Sequence, residues 1–362
     1  MPRANPLSDK QRIFVTLDGL RGLAALAVIS RHASRYFGAM PFESYLAVDF
    51  FFVLSGFVLA HAYRARLQAG LSAADFMKIR LIRLYPLYIL ALGIACAAVL
   101  LKSAYAQVDF SAFIGNLVLG LLFLPSPLDS YLFPLNGPSW SLFNELLANL
   151  FLKPAVESVR IAAVITAIAG ALLVFGVCTS TLGFGQRAGA MDSGFAWAHF
   201  GAGPVRAGFS FFAGVLLHRL YVARPMRFNV PALPIFAALG LMLALHPPKE
   251  LQASFDLAAA MIGFPLLVWC GAHCAPRPFT ARVFTWLGIS SYAVYVLHAP
   301  AYAIASQLMA PSAASAWTAI TFTIFIFAAA IVADHCYDFP VRRWLLRRME
   351  GRMRLRAAAP SA

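Results

Sequence analysis

Ten apolar runs follow one another between residues 13 and 337, at roughly 13–37, 45–63, 84–101, 139–153, 160–178, 206–222, 230–246, 254–273, 283–307 and 315–337. A helix that crosses a bilayer needs about 20 predominantly apolar residues. In hydrocarbon the backbone must also satisfy its own N–H and C=O groups, which leaves helices or closed barrels as the spanning structures. Runs of this length and spacing call for helices. The chain therefore reads as an all-α polytopic membrane protein, a bundle of about ten transmembrane helices. Composition agrees, with 61% hydrophobic and 12% charged residues, where a soluble domain is about half apolar and a quarter charged. An eleventh apolar stretch, SAFIGNLVLGLLFLP at 111–125, is short for a span.

The basic residues decide how the chain is threaded, because cytoplasmic loops carry an excess of Lys and Arg. With the N-terminus inside and 111–125 not crossing, Arg64, Arg66, Lys78, Arg80 and Arg83 fall inside. So do Lys153, Arg160, Arg219, Arg224, Arg227, Arg277, Arg282 and the tail arginines, together with Arg3, Lys10 and Arg12. The outer loops then hold Lys102, Arg187, Arg206 and Lys249. If 111–125 crossed, the later loops would change sides and Arg219 to Arg227 would face outward. The expected topology thus has both termini in the cytoplasm and 111–125 re-entrant or lying along the outer face.

The net charge of +14 belongs to this orienting pattern and not to a nucleic-acid partner; the partner it implies is the lipid bilayer. Five scattered cysteines make no disulfide framework. Cys270, His273 and Cys274 lie close together, but no complementary ligand pair occurs elsewhere, so they are read as packing at a helix end, with no metal. The first apolar run carries Arg21 and Arg31 and lacks a cleavage region, so it is not a signal peptide. No repeat of fixed period supports an inverted-repeat transporter. One membrane domain, 1–345, is expected, with a short basic cytoplasmic tail at 346–362 and no appended soluble domain.

The first run is also the most charged. Arg21 and His32 are eleven residues apart, which in a helix is about three turns plus about 20°, so both side chains share one face. Their separation along the axis is about 16 Å, around half the hydrocarbon thickness. Ionisable residues inside a membrane are costly and usually line a cavity or pathway. Arg21 and His32 are accordingly candidates for function, in the cytoplasmic and outer halves of the bilayer. Asp18, three residues before Arg21, is its expected ion-pair partner. Arg31 and Arg35 are read equally as interfacial anchors.

Seven blocks, in order, resemble acyltransferase family 3, membrane O-acyltransferases of the glycan O-acetylase and nodulation-factor acetylase type. They are LDGLRGLAALAVISRHAS (17–34), VDFFFVLSGFVLA (48–60), RLIRLYPLY (80–88), NGPSWSLFNELLANL (136–150), FFAGVLLHRL (211–220), LGISSYAVYVLHAP (287–300) and YDFPVRRWL (337–345). The resemblance covers essentially the whole chain. It has two departures: Leu146 follows Glu145 where many members have a second acid, and Asp338 stands where Glu is common. The first leaves the acceptor open.

The resemblance implies an O-acyltransferase in the cytoplasmic (inner) membrane. Its donor would be cytoplasmic acyl-coenzyme A, most commonly acetyl-coenzyme A. Its acceptor would be a glycan or another hydroxylated molecule outside the cytoplasm, and a separate periplasmic transferase is a possible partner. Arg80 and Arg83, an R-x-x-R pair at a cytoplasmic helix start, then read as phosphate forks, with Arg21 as a third contact. His32 reads as general base for the acceptor hydroxyl. Glu145, six residues into a helix expected to start at the outer face, reads as the acid that orients it.

Several residues keep two readings. Trp140 is an interfacial belt aromatic or a platform for a sugar ring, with Ser141 beside it in the same block. Tyr292 and His298, on a slowly drifting helix face with Tyr295, pack the bundle or support the site. Asp49 orients His32 or Arg35, or lines the acceptor entrance. Ser55, with no nucleophile elbow around it, reads with Gly56 as a small residue for close helix packing. The rival class is a transporter or flippase for a lipid-linked sugar or small anion, which has no use for acyl-coenzyme A. Reporter fusions within 178–205 test the topology: an extracytoplasmic signal is expected, and a cytoplasmic one overturns it.

Overall fold

The computed structural model describes residues 14–38, 42–104, 106–185, 189–224, 231–274, 276–308 and 315–358, without the side chains of 34, 35, 42, 289 and 350–358. Arg3, Lys10, Arg12, Arg187 and Arg227, and the side chains of Arg35, Arg352, Arg354 and Arg356, lie outside the described set. The described residues form helices, loops and one isolated bridge between Tyr131 and Ala196. This is a helical membrane protein.

In chain order the α-helices are α1 (Val15–His32), α2 (Ser34–Phe37), α3 (Ala47–Gln68), α4 (Ala73–Ser103), α5 (Phe110–Leu121), α6 (Ser139–Leu150), α7 (Leu152–Glu157) and α8 (Val159–Thr179). They continue as α9 (Ala202–Ala223), α10 (Ala232–Ala244), α11 (Lys249–Ala258), α12 (Phe264–His273), α13 (Pro278–Leu308), α14 (Ala316–Ala333) and α15 (Phe339–Ala358). A turn of π-helix joins α11 to α12 at Ala259–Gly263, and another joins α14 to α15 at Asp334–Asp338. Polar residues start several helices by accepting an otherwise orphaned backbone N–H. Ser72 caps α4 through Asp75, Asp109 caps α5 through Ala112, and Ser158 caps α8 through Ile161.

Five helices are long and apolar enough to cross a membrane: Glu43–Gln68, Ala73–Ser103, Val159–Thr179, Lys249–His273 and Ala316–Met349. The other runs expected to span also fall on helices, but on polar or short ones. Helix α1 carries Asp18, Arg21 and Arg31, and α10 has only 13 residues. Most of the stretch at 111–125 lies in α5, whose 12 residues measure about 18 Å, less than the hydrocarbon thickness. Helix α8 shows how lipid is faced. Ile161, Val164, Ile168, Leu172 and Phe175 recur every three or four residues and are all exposed, a single stripe along the helix.

Two parallel helix pairs frame the interior. Helices α1 and α13 run together, with Arg21 against Gly288 and Ser291 at one end and His32 against His298 at the other. Gly22 lies against the Leu287 backbone and Gly288 against Asp18, so the two helices approach to within backbone contact. Helices α3 and α9 are likewise parallel, with Asp49 meeting Arg206 and His61 meeting His218. Where they cross, a Cβ on Gly56 would collide with the Phe211 carbonyl oxygen, and one on Gly214 with that of Val53. Small residues let membrane helices associate by van der Waals packing in this way. Gly56→Ala is expected to lower the unfolding midpoint in detergent, a cost of about 1–3 kcal/mol. Gly93→Ala, where nothing lies within 4 Å of an added Cβ, is expected to be neutral.

Candidate functional site

A cavity of about 240 Å³ opens among α1, α3, α4, α6 and α13, and its wall brings together Arg21, Ser55, Arg80, Arg83, Glu145 and Tyr292. Five helices far apart in the sequence thus converge on one place. Val48, Phe51, Phe52 and Leu54 complete an apolar side.

Glu145 organises the polar side. Its Oε1 accepts from Arg80 at 2.6 Å and from the Ser55 hydroxyl at 2.6 Å. Arg80 is 8% exposed, and its Nε is buried without a hydrogen-bond partner. The expected pairing of Glu145 with His32 is not what the structure contains: no hydrogen bond joins them among the described residues. The reason lies in the chain before α6. That helix does not begin at an outer surface. Asn136 donates to the Val296 carbonyl, and the Ser141 and Tyr295 hydroxyls meet at 2.5 Å, halfway along α13. The chain has already descended into the bundle when the helix starts, so Glu145 reaches the level of Ser55 and Arg80.

Arg21 is held in three ways. Its Nε donates to Ser291 at 2.6 Å, one terminal nitrogen donates to the Gly288 carbonyl at 2.5 Å, and Asp18 Oδ1 lies 3.1 Å away. The i, i+3 pair expected in the first helix is present. Arg83 differs: no carboxylate lies within ion-pair distance among the described residues, and its guanidinium faces the Tyr292 ring at 5.9 Å. Tyr292 itself donates to the Leu84 carbonyl at 2.7 Å. Arg21 and Arg80 each have an acid in direct contact, whereas Arg83 acts on the Asp338 carboxylate only through space. The Arg83 guanidinium N–H groups are in no described hydrogen bond and stand on the cavity wall.

His32 is not among the cavity-lining residues. Its Nδ1 lies 2.9 Å from the Val28 carbonyl, which can only accept, so in the neutral ring Nδ1 carries the proton and Nε2 the lone pair. The ring is exposed, and its centre is 4.9 Å from that of His298. His298 is 1% exposed, donates Nδ1–H to the Tyr295 carbonyl at 2.7 Å, and has a buried Nε2 with no partner. Tyr295 lines the cavity and also lies 6.0 Å from the His298 ring. His32 therefore stands two side chains beyond the cavity wall.

Asp49 and Trp140 belong to another constellation. Asp49 receives two hydrogen bonds from Arg206, at 3.1 and 2.5 Å, with both residues at or below 1% exposure. No described contact joins it to His32, and the Arg35 side chain lies outside the described residues. Arg206 also donates to the Ser193 and Tyr45 carbonyls and lies 5.3 Å above the Trp140 ring. Trp140 is buried beneath it and is not an interfacial belt residue. The reading of Arg206 as an outer-loop charge is corrected: it lies four residues inside α9 and ties that helix to α3. Its signal was faint, an isolated Arg opening an apolar run, with its acid 157 residues away. Among the described residues no group of three or more His, Cys, Asp or Glu is placed to hold a metal ion.

Comparison with known proteins follows this geometry. A family model described as an acyltransferase domain, that of acyltransferase family 3, matches residues 14–333. Protein 2 in the picA locus of Rhizobium radiobacter is 47% identical over 153 residues, which is 38% of this chain and 78% of that protein. No solved structure matches.

The Asp49–Arg206 pair gives a stability prediction. Removing one member, as in Asp49→Leu or Arg206→Met, strands a buried charge and is expected to cost about 3–5 kcal/mol, whereas removing both is expected to cost much less. A double-mutant cycle of unfolding in detergent measures the difference, and additive losses would show that the pair is not coupled.

Proposed function

The chain belongs to acyltransferase family 3 and is a membrane acyltransferase; on that premise we propose that it moves an acetyl group from cytoplasmic acetyl-coenzyme A to a hydroxyl of a glycan or similar acceptor outside the cytoplasm. The proposal includes a location in the inner membrane, ten crossings and cytoplasmic termini. One observation carries it. Arg21, Arg80 and Arg83 converge on a cavity in which Arg83 is in no described ion pair and faces the Tyr292 ring. Planar guanidinium groups bind phosphate oxygens through paired N–H donors, and coenzyme A is rich in phosphates. The apolar wall of Val48, Phe51 and Leu54 suits the pantetheine arm and the acyl group. Cationic residues at the cytoplasmic end with apolar ones beyond are the order in which a coenzyme A thioester would be threaded.

His32 is the proposed base on the acceptor side. The Val28 carbonyl, in place of Glu145, holds its tautomer so that Nε2 can take a proton. The buried His298 packs beside the exposed His32 ring and helps fix its orientation. Glu145 stays on the donor side, where it fixes Arg80.

Coenzyme A binding to the purified protein tests the donor site. Arg83→Ala is expected to weaken it about tenfold or more, since a hydrogen bond to a charged group contributes about 1.5–3 kcal/mol. His32→Ala is expected to bind coenzyme A as the wild type does and to lose transfer. A folded wild-type protein that binds no coenzyme A would overturn the donor reading and favour a transporter of small anions.

A further inference from the structure

Three serines line the cavity: Ser55, Ser141 and Ser291. Two have hydroxyls occupied by the scaffold. Ser141 Oγ donates to the Pro138 carbonyl at 3.0 Å and meets the Tyr295 hydroxyl, and Ser291 Oγ donates to the Gly288 carbonyl while accepting from Arg21. Ser55 alone of the three directs its proton at a carboxylate, Glu145 Oε1, at 2.6 Å. The same oxygen is held at 2.6 Å by Arg80. A nucleophile hydrogen-bonded to a base, with the base oriented by a third group, is the arrangement of covalent catalysis.

The backbone under Ser55 is fixed as well. Its neighbour Gly56 packs against the α9 backbone. One residue step turns a helix by about 100°, so Ser55 points away from that contact and into the cavity. In the sequence the two were one small-residue pair. In the structure Gly56 does the packing and Ser55 faces the space proposed for the donor.

We propose that Ser55 takes the acyl group before the acceptor does, forming an acyl-serine ester; this rests on the reading of the cavity as the acyl-coenzyme A site. The Ser55 O–H proton passes to Glu145 Oε1 as Oγ bonds to the thioester carbonyl carbon. The C–S bond breaks, and the leaving thiolate takes the proton from Glu145. The products are the ester and free coenzyme A, with the Glu145 carboxylate restored. In the second half, the acceptor hydroxyl gives its proton to His32, the base proposed on the acceptor side, and its oxygen bonds to the ester carbon. The C–Oγ bond then breaks, and Ser55 Oγ takes up the proton that the His32 imidazolium gives back. Arg80 is a positioning residue in this scheme. Donor and acceptor never share the site, so the kinetics are ping-pong.

The full-length protein in detergent is incubated with acetyl-, butyryl- or succinyl-coenzyme A labelled in the acyl group, without acceptor, and the 48–60 segment is examined by mass spectrometry. Roughly one acyl group per chain on Ser55 is expected from at least one donor. Ser55→Ala is expected to bind coenzyme A but take no label. Ser55→Cys, which keeps the volume, is expected to hold the label as a thioester cleaved by neutral hydroxylamine. Glu145→Gln is expected to acquire label at least tenfold more slowly. Coenzyme A binding without label from any of the three donors, label on another residue, or full transfer by Ser55→Ala overturns the proposal. Failure to bind coenzyme A at all overturns the donor reading and this inference with it, so the two failures are distinguishable.

Discussion

Ion pairs between guanidinium groups and acids set the register of this bundle, three of them between separate segments. Arg21 with Asp18 neutralises the start of α1, and Arg31 with Asp192 joins its end to the 189–194 loop. Arg80 with Glu145 joins α4 to α6, and Arg206 with Asp49 joins α9 to α3. Apolar packing between helices in lipid has little solvent-driven preference for one register over another. A charge left unmatched by a shifted helix costs several kcal/mol. The ion pairs therefore act as alignment pins, and the glycine contacts at 22, 56, 214 and 288 set how closely the pinned helices lie. Arg83, which no pin uses, stands on the cavity wall.

Much of this was legible in the residues. Apolar length marked out the helices because hydrocarbon admits little else. The eleven-residue spacing of Arg21 and His32 put both on the face of α1 that meets α13, since helical periodicity is local and needs no knowledge of neighbours. The Asp18–Arg21 pair followed from the same periodicity. What depended on long-range geometry was misplaced. Glu145 was assigned the depth of His32 because its helix was expected to begin at a membrane surface, and nothing in the segment 122–138 announces that it descends into the bundle. Arg206 was counted as a loop charge for lack of a visible partner. Ser55 was hidden by its glycine neighbour, because small residues in a membrane helix all read as packing until each side is seen.

The site that emerges has two chemical environments. Around Glu145 the groups are ionic, mutually paired and close to a cavity. Around His32 they are imidazoles tied to main-chain carbonyls, with the second ring buried. The two differ in what they do to a proton. The Glu145 carboxylate is clamped by Arg80 and orients what it touches, whereas the His32 imidazole, with Nδ1 tied to the Val28 carbonyl, keeps its Nε2 lone pair for a donor.

Tyr295 stands where these environments meet. Its hydroxyl is engaged with Ser141, its ring packs edge to face on Phe51 at 5.5 Å, and its other side faces His298. A cell membrane holding a charged cavity open to both of its faces at once would leak, and the ionic gradients that power the cell would run down through it. If the cavity is the donor site, the packed rings of Tyr295 and Phe51 stand where such a leak would have to be stopped.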